Sequence, residues 1–354
     1  MKQLNKGLVI VESPSKIKTL KKFLGKEYAI GASVGHIRDL PKNDLGVDID
    51  NNFKANYIPS PDKAKVIKEL KTQLKNAETI YIATDPDREG EAIGWHLIET
   101  LKPKVPVKRI IFYEITKSAI LESFNNTREI NSSLVGAQEA RRILDRLWGF
   151  LVSKKLWLNI KGGLSAGRVQ SPAVKIIVDR EKERSKFVEN EYWSILGKFE
   201  NNGINFEASL KQFDNKTIAI GKDFNKNDGT IKSNECLVLD EKISNDLCTN
   251  FKNSDWLIKD IKEKPSTQNP YPPFITSTLQ QEGIRKLKMS SQAVMVTAQK
   301  LYEAGLITYM RTDSINLSNE AISASRKAIN ESFNSNYLPE KPRVFKSKVK
   351  NAQE

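Results

Sequence analysis

Three carboxylates at alternating positions, Asp85, Asp87 and Glu89, follow directly on a short β-branched and aromatic run at residues 79–83. A run of that composition predicts a buried strand, and alternation would place the three acids on one side of its extended end. Like charges so close repel, so their pKa values rise unless a cation neutralises them. Hard oxygen ligands at the carboxyl end of a strand suit Mg²⁺, which keeps waters and bridges to phosphate. Arg88, between two of the acids, offers a planar fork for phosphate. Gly90 permits a close backbone turn, and a helical pattern follows over residues 91–101. The ordinary alternative is a solvated acidic turn, but strand, spacing and glycine together favour a cation site.

A second chemical cluster lies at residues 307–314, where Tyr309, Arg311, Thr312, Asp313 and Ser314 stand close together behind Gly305. Tyrosine is a weak nucleophile at its free pKa near 10. A neighbouring guanidinium favours the phenolate and can stabilise a pentavalent phosphate. Taken alone, a strand tyrosine more often packs into a core than reacts.

The elements that must position these groups alternate over the first 150 residues. Strands are predicted at 7–11, 28–34, 79–83 and 109–113, and helices at 16–24, 62–74, 91–101 and from 116 onward. Alternating strand and helix implies a mostly parallel sheet with ligands at its carboxyl ends. Glu12 ends the first strand and Asp85 a later one, so they could face one crevice. Residues 36–61 have no period and form a long excursion. Helices are expected at 132–158 and 168–186, separated by the glycine-rich run 162–167. From 191 to about 264 the texture becomes antiparallel β. Four prolines within 265–273 mark a linker. Helices at 275–287, 291–303 and 318–333, with a strand at 306–310, suggest a winged-helix module.

The formal charge of +14 over 354 residues points to a polyanionic partner, most simply nucleic acid, though lysine richness alone is weak support. Two cysteines without a CxxC pair give neither a disulfide framework nor a zinc site, which fits a reducing cytoplasm. No apolar run approaches the ~18 residues of a membrane span, and no signal-peptide core is seen, so a soluble protein is expected.

Seven segments in order, GLVIVESPSKIKTL, SVGHIRDLP, ATDPDREGEAI, ARRILDRLWGF, LSAGRVQSPAV, TSTLQQEGIRKL and LITYMRTDS, resemble the type IA DNA topoisomerases. SPSK and Met310 resemble the bacterial topoisomerase I branch in particular. The resemblance implies an α/β Toprim domain at 1–35 and 62–150. It implies a helical single-strand-groove region at 36–61 and 151–190, a β-rich arch segment at 191–268, and a tyrosine-bearing winged-helix-like module at 269–354. It further implies that Tyr309 attacks a phosphodiester to form a 5′-phosphotyrosyl link, with Arg311 stabilising the scissile phosphate. Asp85, Asp87 and Glu89 would hold Mg²⁺, while Glu12 and Lys16 would serve proton transfer and phosphate contact. His36, Arg88, Thr312, Asp313 and Ser314 would meet DNA at the cleavage pocket. Arg141 and Asp145 would line the single-strand groove, although one helical turn apart they also read as a surface ion pair. Arg168 and Gln170 would touch the DNA backbone, whereas His96 has no match and reads as structural. The implied protein is a monomeric, cytoplasmic, DNA-associated enzyme that relaxes underwound DNA without ATP. The sequence stops at NAQE where the family continues HEAIRPT, so a half enzyme inactive alone is expected. A non-catalytic single-strand-binding fragment, or a Toprim nuclease or primase, are the alternatives.

Overall fold

The computed structural model describes residues 6–345; the chain-end motif at 351–354 lies outside them. The chain divides into two compact units. One runs from the N-terminus through Ala166 and resumes at Asn269, and the other is Gly167–Gln268.

The first unit is built on a four-stranded parallel sheet. Strands β1 (Gly7–Val11), β2 (Tyr28–Ala32), β3 (Ile80–Ile82) and β4 (Val107–Arg109) lie in the order β2-β1-β3-β4. Register sets Leu8 opposite Ala29 and Ile80, and Ile10 opposite Gly31 and Ile82. All five β1 residues are buried, the uninterrupted apolar run expected of a strand covered on both faces. Leu8 and Ile10 enter one cluster with Leu70, Ile93 and Leu97. Val9 and Val11 enter the other, with Leu20, Ile120, Tyr302 and Tyr309.

Helices α1 (Pro14–Leu24), α2 (Ala64–Leu74), α3 (Arg88–Leu101) and α4 (Lys117–Asn125) supply the covering faces. Proline at the first turn of α1 costs no hydrogen bond, because that N–H would lack a partner anyway. Building outward from β1 to β2 and then back across to β3 puts a topological switch point between β1 and β3. The residues just beyond their carboxyl ends, Glu12 and Asp85, therefore border one crevice.

Helix α5 (Ser132–Asn159) is capped by Asn131 and pins the excursion at 36–61. Arg142 makes two bonds to Asp39, at 2.8 and 2.7 Å, and Arg146 donates to the carbonyls of Pro41 and Asp44. Helices α8 (Thr276–Leu287), α9 (Ser291–Glu303) and α10 (Asn319–Phe333) complete this unit. In the second unit, α6 (Gln170–Ser185) precedes an antiparallel hairpin, β5 (Leu196–Asn201) with β6 (Ile204–Ser209). Three short strands follow, β7 (Gln212–Phe213), β8 (Lys216–Ile218) and β9 (Cys236–Leu237), and then α7 (Glu241–Phe251). Among the described residues no helix is long and apolar enough to cross a membrane.

Several expected elements differ. Residues 306–310 form no strand: the Tyr309 N–H makes a single backbone bond to the Tyr113 carbonyl, so among the described residues the three helices have no β wing. The strand expected at 109–113 is β4, ending at Arg109. The stretch 191–264 is not purely antiparallel, since β8 pairs with β9 in parallel and α7 lies within it. Ile243, Leu247 and Phe251 of α7 recur at intervals of four behind the Asp240 cap, an apolar stripe masked by intervening Asn, Ser and Thr.

Candidate active site

Helix α3 begins at Arg88, earlier than its apolar pattern suggests, so only Asp85 and Asp87 lie on extended chain and Glu89 occupies the first helical turn. Asp87 is the N-cap, its Oδ1 accepting from the Gly90 amide at 2.8 Å. Gly90 is required by contact, because a Cβ there would stand 2.1 Å from the Asp85 carbonyl oxygen.

The tyrosine segment docks on this turn. Tyr309 is buried and its hydroxyl donates to Asp87 Oδ2 at 2.6 Å. Arg311 Nη1 lies 3.5 Å from Glu89 Oε2 and 3.9 Å from Asp87 Oδ2. Buried Lys16 is ion-paired with Asp85, and its ammonium sits 5.1 Å from the centre of the Tyr302 ring. Tyr302 in turn meets Tyr309 edge-on at 5.2 Å. Thr276, at the start of α8, holds the chain on either side of Arg311. Its Oγ1 donates to the Met310 carbonyl at 2.9 Å and accepts from the Thr312 N–H at 3.0 Å, and its N–H donates to the Thr312 carbonyl at 3.0 Å.

Burial, then the charges of Asp87 and Asp85, drives the Tyr309 hydroxyl far above its usual pKa, with Arg311 opposing them. The phenol is held protonated in this arrangement. Burial and the Asp85 charge push Glu12 up to about 7, against the pull of Lys16. His36 first, then Arg311 and Arg141, holds the Glu89 carboxyl below its usual range.

His36 Nε2 stands 3.6 Å from Glu89 Oε1. His36, Arg88, Glu89, Arg141 and Asp145 line one cavity of about 380 Å³. Arg141 Nε and Asp145 Oδ2 are 3.8 Å apart along its α5 wall. Buried His96 lines the cavity too, packed against Tyr57 and Trp95 at 4.7 Å. Thr312 and Ser314 line a different cavity of about 660 Å³, behind Tyr309 and beside Phe112 and Tyr113. Asp313 is exposed. Arg168 and Gln170 belong to the second unit.

A further set of groups escapes sequence reading. Arg109 is fully buried and donates to the carbonyls of Ile82, Thr84, Asp85 and Ile110 at 2.7–3.1 Å. Its Nε also donates to Glu91 Oε1 at 3.0 Å. Glu91, equally buried, accepts from Arg128 and from the Asn131 amide. This network fixes the turn that carries Asp85. An arginine opening a predicted strand gives no periodic signal of such a role.

Family comparisons agree with the geometry. Residues 7–115 match the Toprim domain, and residues 129–354 match the DNA topoisomerase family. The chain belongs to the DNA topoisomerase family. DNA topoisomerase 1 of Synechococcus elongatus is 46% identical over 98% of this chain and 41% of its own length. That of Streptomyces coelicolor is 47% identical over 98% of this chain and 38% of its own. Full-length topoisomerase I from Thermotoga maritima superimposes with a TM-score of 0.75 at 38% identity, covering 94% of this chain and 54% of that one. The chain thus spans about two-fifths of the length of the two relatives. The Toprim domain with its parallel sheet, followed by helical and antiparallel modules, is the topoisomerase I arrangement that the sequence motifs imply.

The Glu12 shift has a measurable consequence for this chain. Its folded pKa of about 7 exceeds the ordinary 4.5, so between those values the folded chain keeps a proton that the unfolded chain has released. Stability conferred by the protonated form is present below 4.5 and is lost as pH rises through 7. Glu12→Gln is therefore expected to gain on wild type over that window, by on the order of 2–3 kcal/mol. Urea unfolding of both proteins in Mg²⁺-free buffer at pH 4.5 and 7.5 is the measurement. A difference that does not change with pH would refute the shift.

Proposed function

We propose that this site cuts and reseals one strand of DNA through a 5′-phosphotyrosyl link, as part of a type IA topoisomerase relaxing underwound DNA. The observation that carries the reading is the 2.6 Å hydrogen bond from Tyr309 to Asp87, which joins the nucleophile to the acidic turn across 222 residues of sequence. The Tyr309 oxygen attacks phosphorus and its proton passes to Asp87 Oδ2, the acceptor within reach. The bond from phosphorus to the 3′ oxygen breaks, and Glu12, whose carboxyl is raised to about 7, gives the departing alkoxide its proton. Resealing reverses each transfer. Arg311, half-exposed beside both acids, stabilises the pentavalent phosphate. No ATP is required, because the phosphotyrosine keeps the bond energy, and no GxxxxGK[ST] run is present.

Toprim domains are generally Mg²⁺-binding folds, and the donor set here is hard oxygen. Among the described residues no three acidic, imidazole or thiol groups form a ready cage. Even so, Glu12 is raised first by burial and then by the charges of Asp85, Asp87 and Glu89, which Lys16 only partly offsets, and a cation fits among these carboxylates. Asp85, Asp87 and Glu89 would hold Mg²⁺, which when bound neutralises charge on the scissile phosphate. Single-stranded DNA would run past His36, Arg88 and Arg141, drawn by the +14 charge.

The test is to incubate the protein with end-labelled single-stranded oligonucleotides and Mg²⁺ and then quench with denaturant. Protein-linked DNA carrying the 5′ phosphate is the expected product. Cutting without a protein-linked end points instead to a Toprim nuclease, and binding without cutting to a single-strand-binding protein.

A further inference from the structure

Val34 carries a positive φ of 56° and is the only β-branched residue among the described non-glycine residues that does. Branching at Cβ makes the left-handed region costly, and such outliers persist only where their surroundings force them. Packing does not force this one, since Val34 is 44% exposed. Hydrogen bonds do. Ser33 N–H donates to the Val11 carbonyl at 2.9 Å, and Gly35 N–H to the Glu12 carbonyl at 3.3 Å. The Val34 carbonyl accepts from Lys63 Nζ at 2.9 Å. Lys63 is well placed to hold it. It closes the turn after Pro61, where its N–H donates to the Ser60 carbonyl and Ser60 N–H donates to the Ile37 carbonyl. Its ammonium also lies 3.5 Å from Asp62.

The consequence falls on His36. Gly35 follows with φ of 82°, so two successive left-handed residues turn the chain immediately before the imidazole that faces Glu89. Returning Val34 to the extended region would rotate the Gly35–His36 peptide and swing the ring away. We infer that Lys63 is a positioning residue: its ammonium holds Val34 left-handed and thereby aims His36 at Glu89. The inference rests on the proposed cleavage site only for its effect on reaction rate, because the backbone arrangement can be read without DNA.

Three variants separate this role from others. Lys63→Met keeps the aliphatic stem and removes the donor. Lys63→Arg still donates and should match wild type. Val34→Asn places a residue that tolerates the left-handed region without help, so the double variant Val34→Asn with Lys63→Met should recover what Lys63→Met loses. The chain has two histidines, which makes the His36 ring signal simple to follow by NMR. In DNA-free protein, Lys63→Met should shift that signal and speed exchange of the Gly35 amide, and the double variant should restore both. With single-stranded DNA, Lys63→Met should slow single-turnover cleavage by about ten- to a hundredfold, with recovery in the double variant. An unchanged His36 signal in Lys63→Met, or no restoration by Val34→Asn, overturns the proposal. So does a loss of DNA affinity on Lys63→Met that is equal with and without Val34→Asn and lowers the salt slope by about one, the mark of a phosphate contact. Should wild type form no adduct at all, the cleavage reading fails while the NMR arms still decide the role of Lys63.

Discussion

Tyr309→Phe is expected to abolish the proposed covalent adduct and to leave single-strand binding within about twofold of wild type, because affinity should come from phosphates and stacked bases rather than from one hydroxyl. If Asp87 holds Mg²⁺ as proposed, the same change should also alter metal binding. Asp87 Oδ2 is shared in the resting protein: the Tyr309 hydroxyl occupies it at 2.6 Å, while Oδ1 is committed to capping α3. Removing the hydroxyl leaves a buried carboxylate oxygen without its donor, and a hydrogen bond to a charged group contributes about 1.5–3 kcal/mol. Metal-free Tyr309→Phe should therefore be less stable than wild type by that order. Mg²⁺ should then stabilise the variant more than wild type, since a competitor for Asp87 has gone and ligand binding adds to stability by mass action. Thermal unfolding across a Mg²⁺ series, beside adduct trapping, measures both effects. An adduct that persists in the variant would assign the nucleophile elsewhere. Equal Mg²⁺ stabilisation in both proteins would show that the phenol and the cation do not share Asp87.

What sequence alone makes legible follows from local chemistry. β1 is readable because a strand buried on both faces must be apolar throughout, and α1 because Ser13-Pro14 is a helix start. The three acids are readable as a cluster, yet their geometry is not. Alternation describes extended chain, but Asp87 caps α3 and Glu89 already lies in the helix. Residues 306–310 carry strand-forming side chains and still form no strand, because β propensity needs a partner ladder and here one bond to Tyr113 is made. The paired arginines of α5 show the same limit. Arg141 and Arg142 both line the cavity, but Arg142 is held there by Asp39, and Arg146 is bound to two carbonyls. Which arginine is available to a ligand is decided by helix rotation against the 36–61 excursion, a tertiary fact.

Arg109→Ala is expected to cost about 3–5 kcal/mol, because it leaves Glu91 charged and buried without its main partner. Arg128 still reaches Glu91, but its side chain is 44% exposed and cannot reproduce the contacts made inside the sheet. The carbonyls of Thr84 and Asp85 lose this donor at the same time, in a buried turn, whereas that of Ile82 keeps the Ile110 N–H. Replacing the pair together, as Glu91→Gln with Arg109→Met, removes the stranded charge and should recover part of the loss, since neutral isosteres often match a buried ion pair. It should not recover the position of Asp85, whose carbonyl remains without a donor. Stability and site geometry therefore separate in the double variant: folding improves over Arg109→Ala, while Mg²⁺ stabilises it less than wild type. Chemical denaturation with amide exchange at β1 and β3 gives the first quantity, and a Mg²⁺ thermal series gives the second. If Arg109→Ala stays within about 1 kcal/mol of wild type, the buried network does not hold the acidic turn. If the double variant regains both stability and Mg²⁺ response, the turn is set by the chain on either side of it, and the arginine serves the core alone.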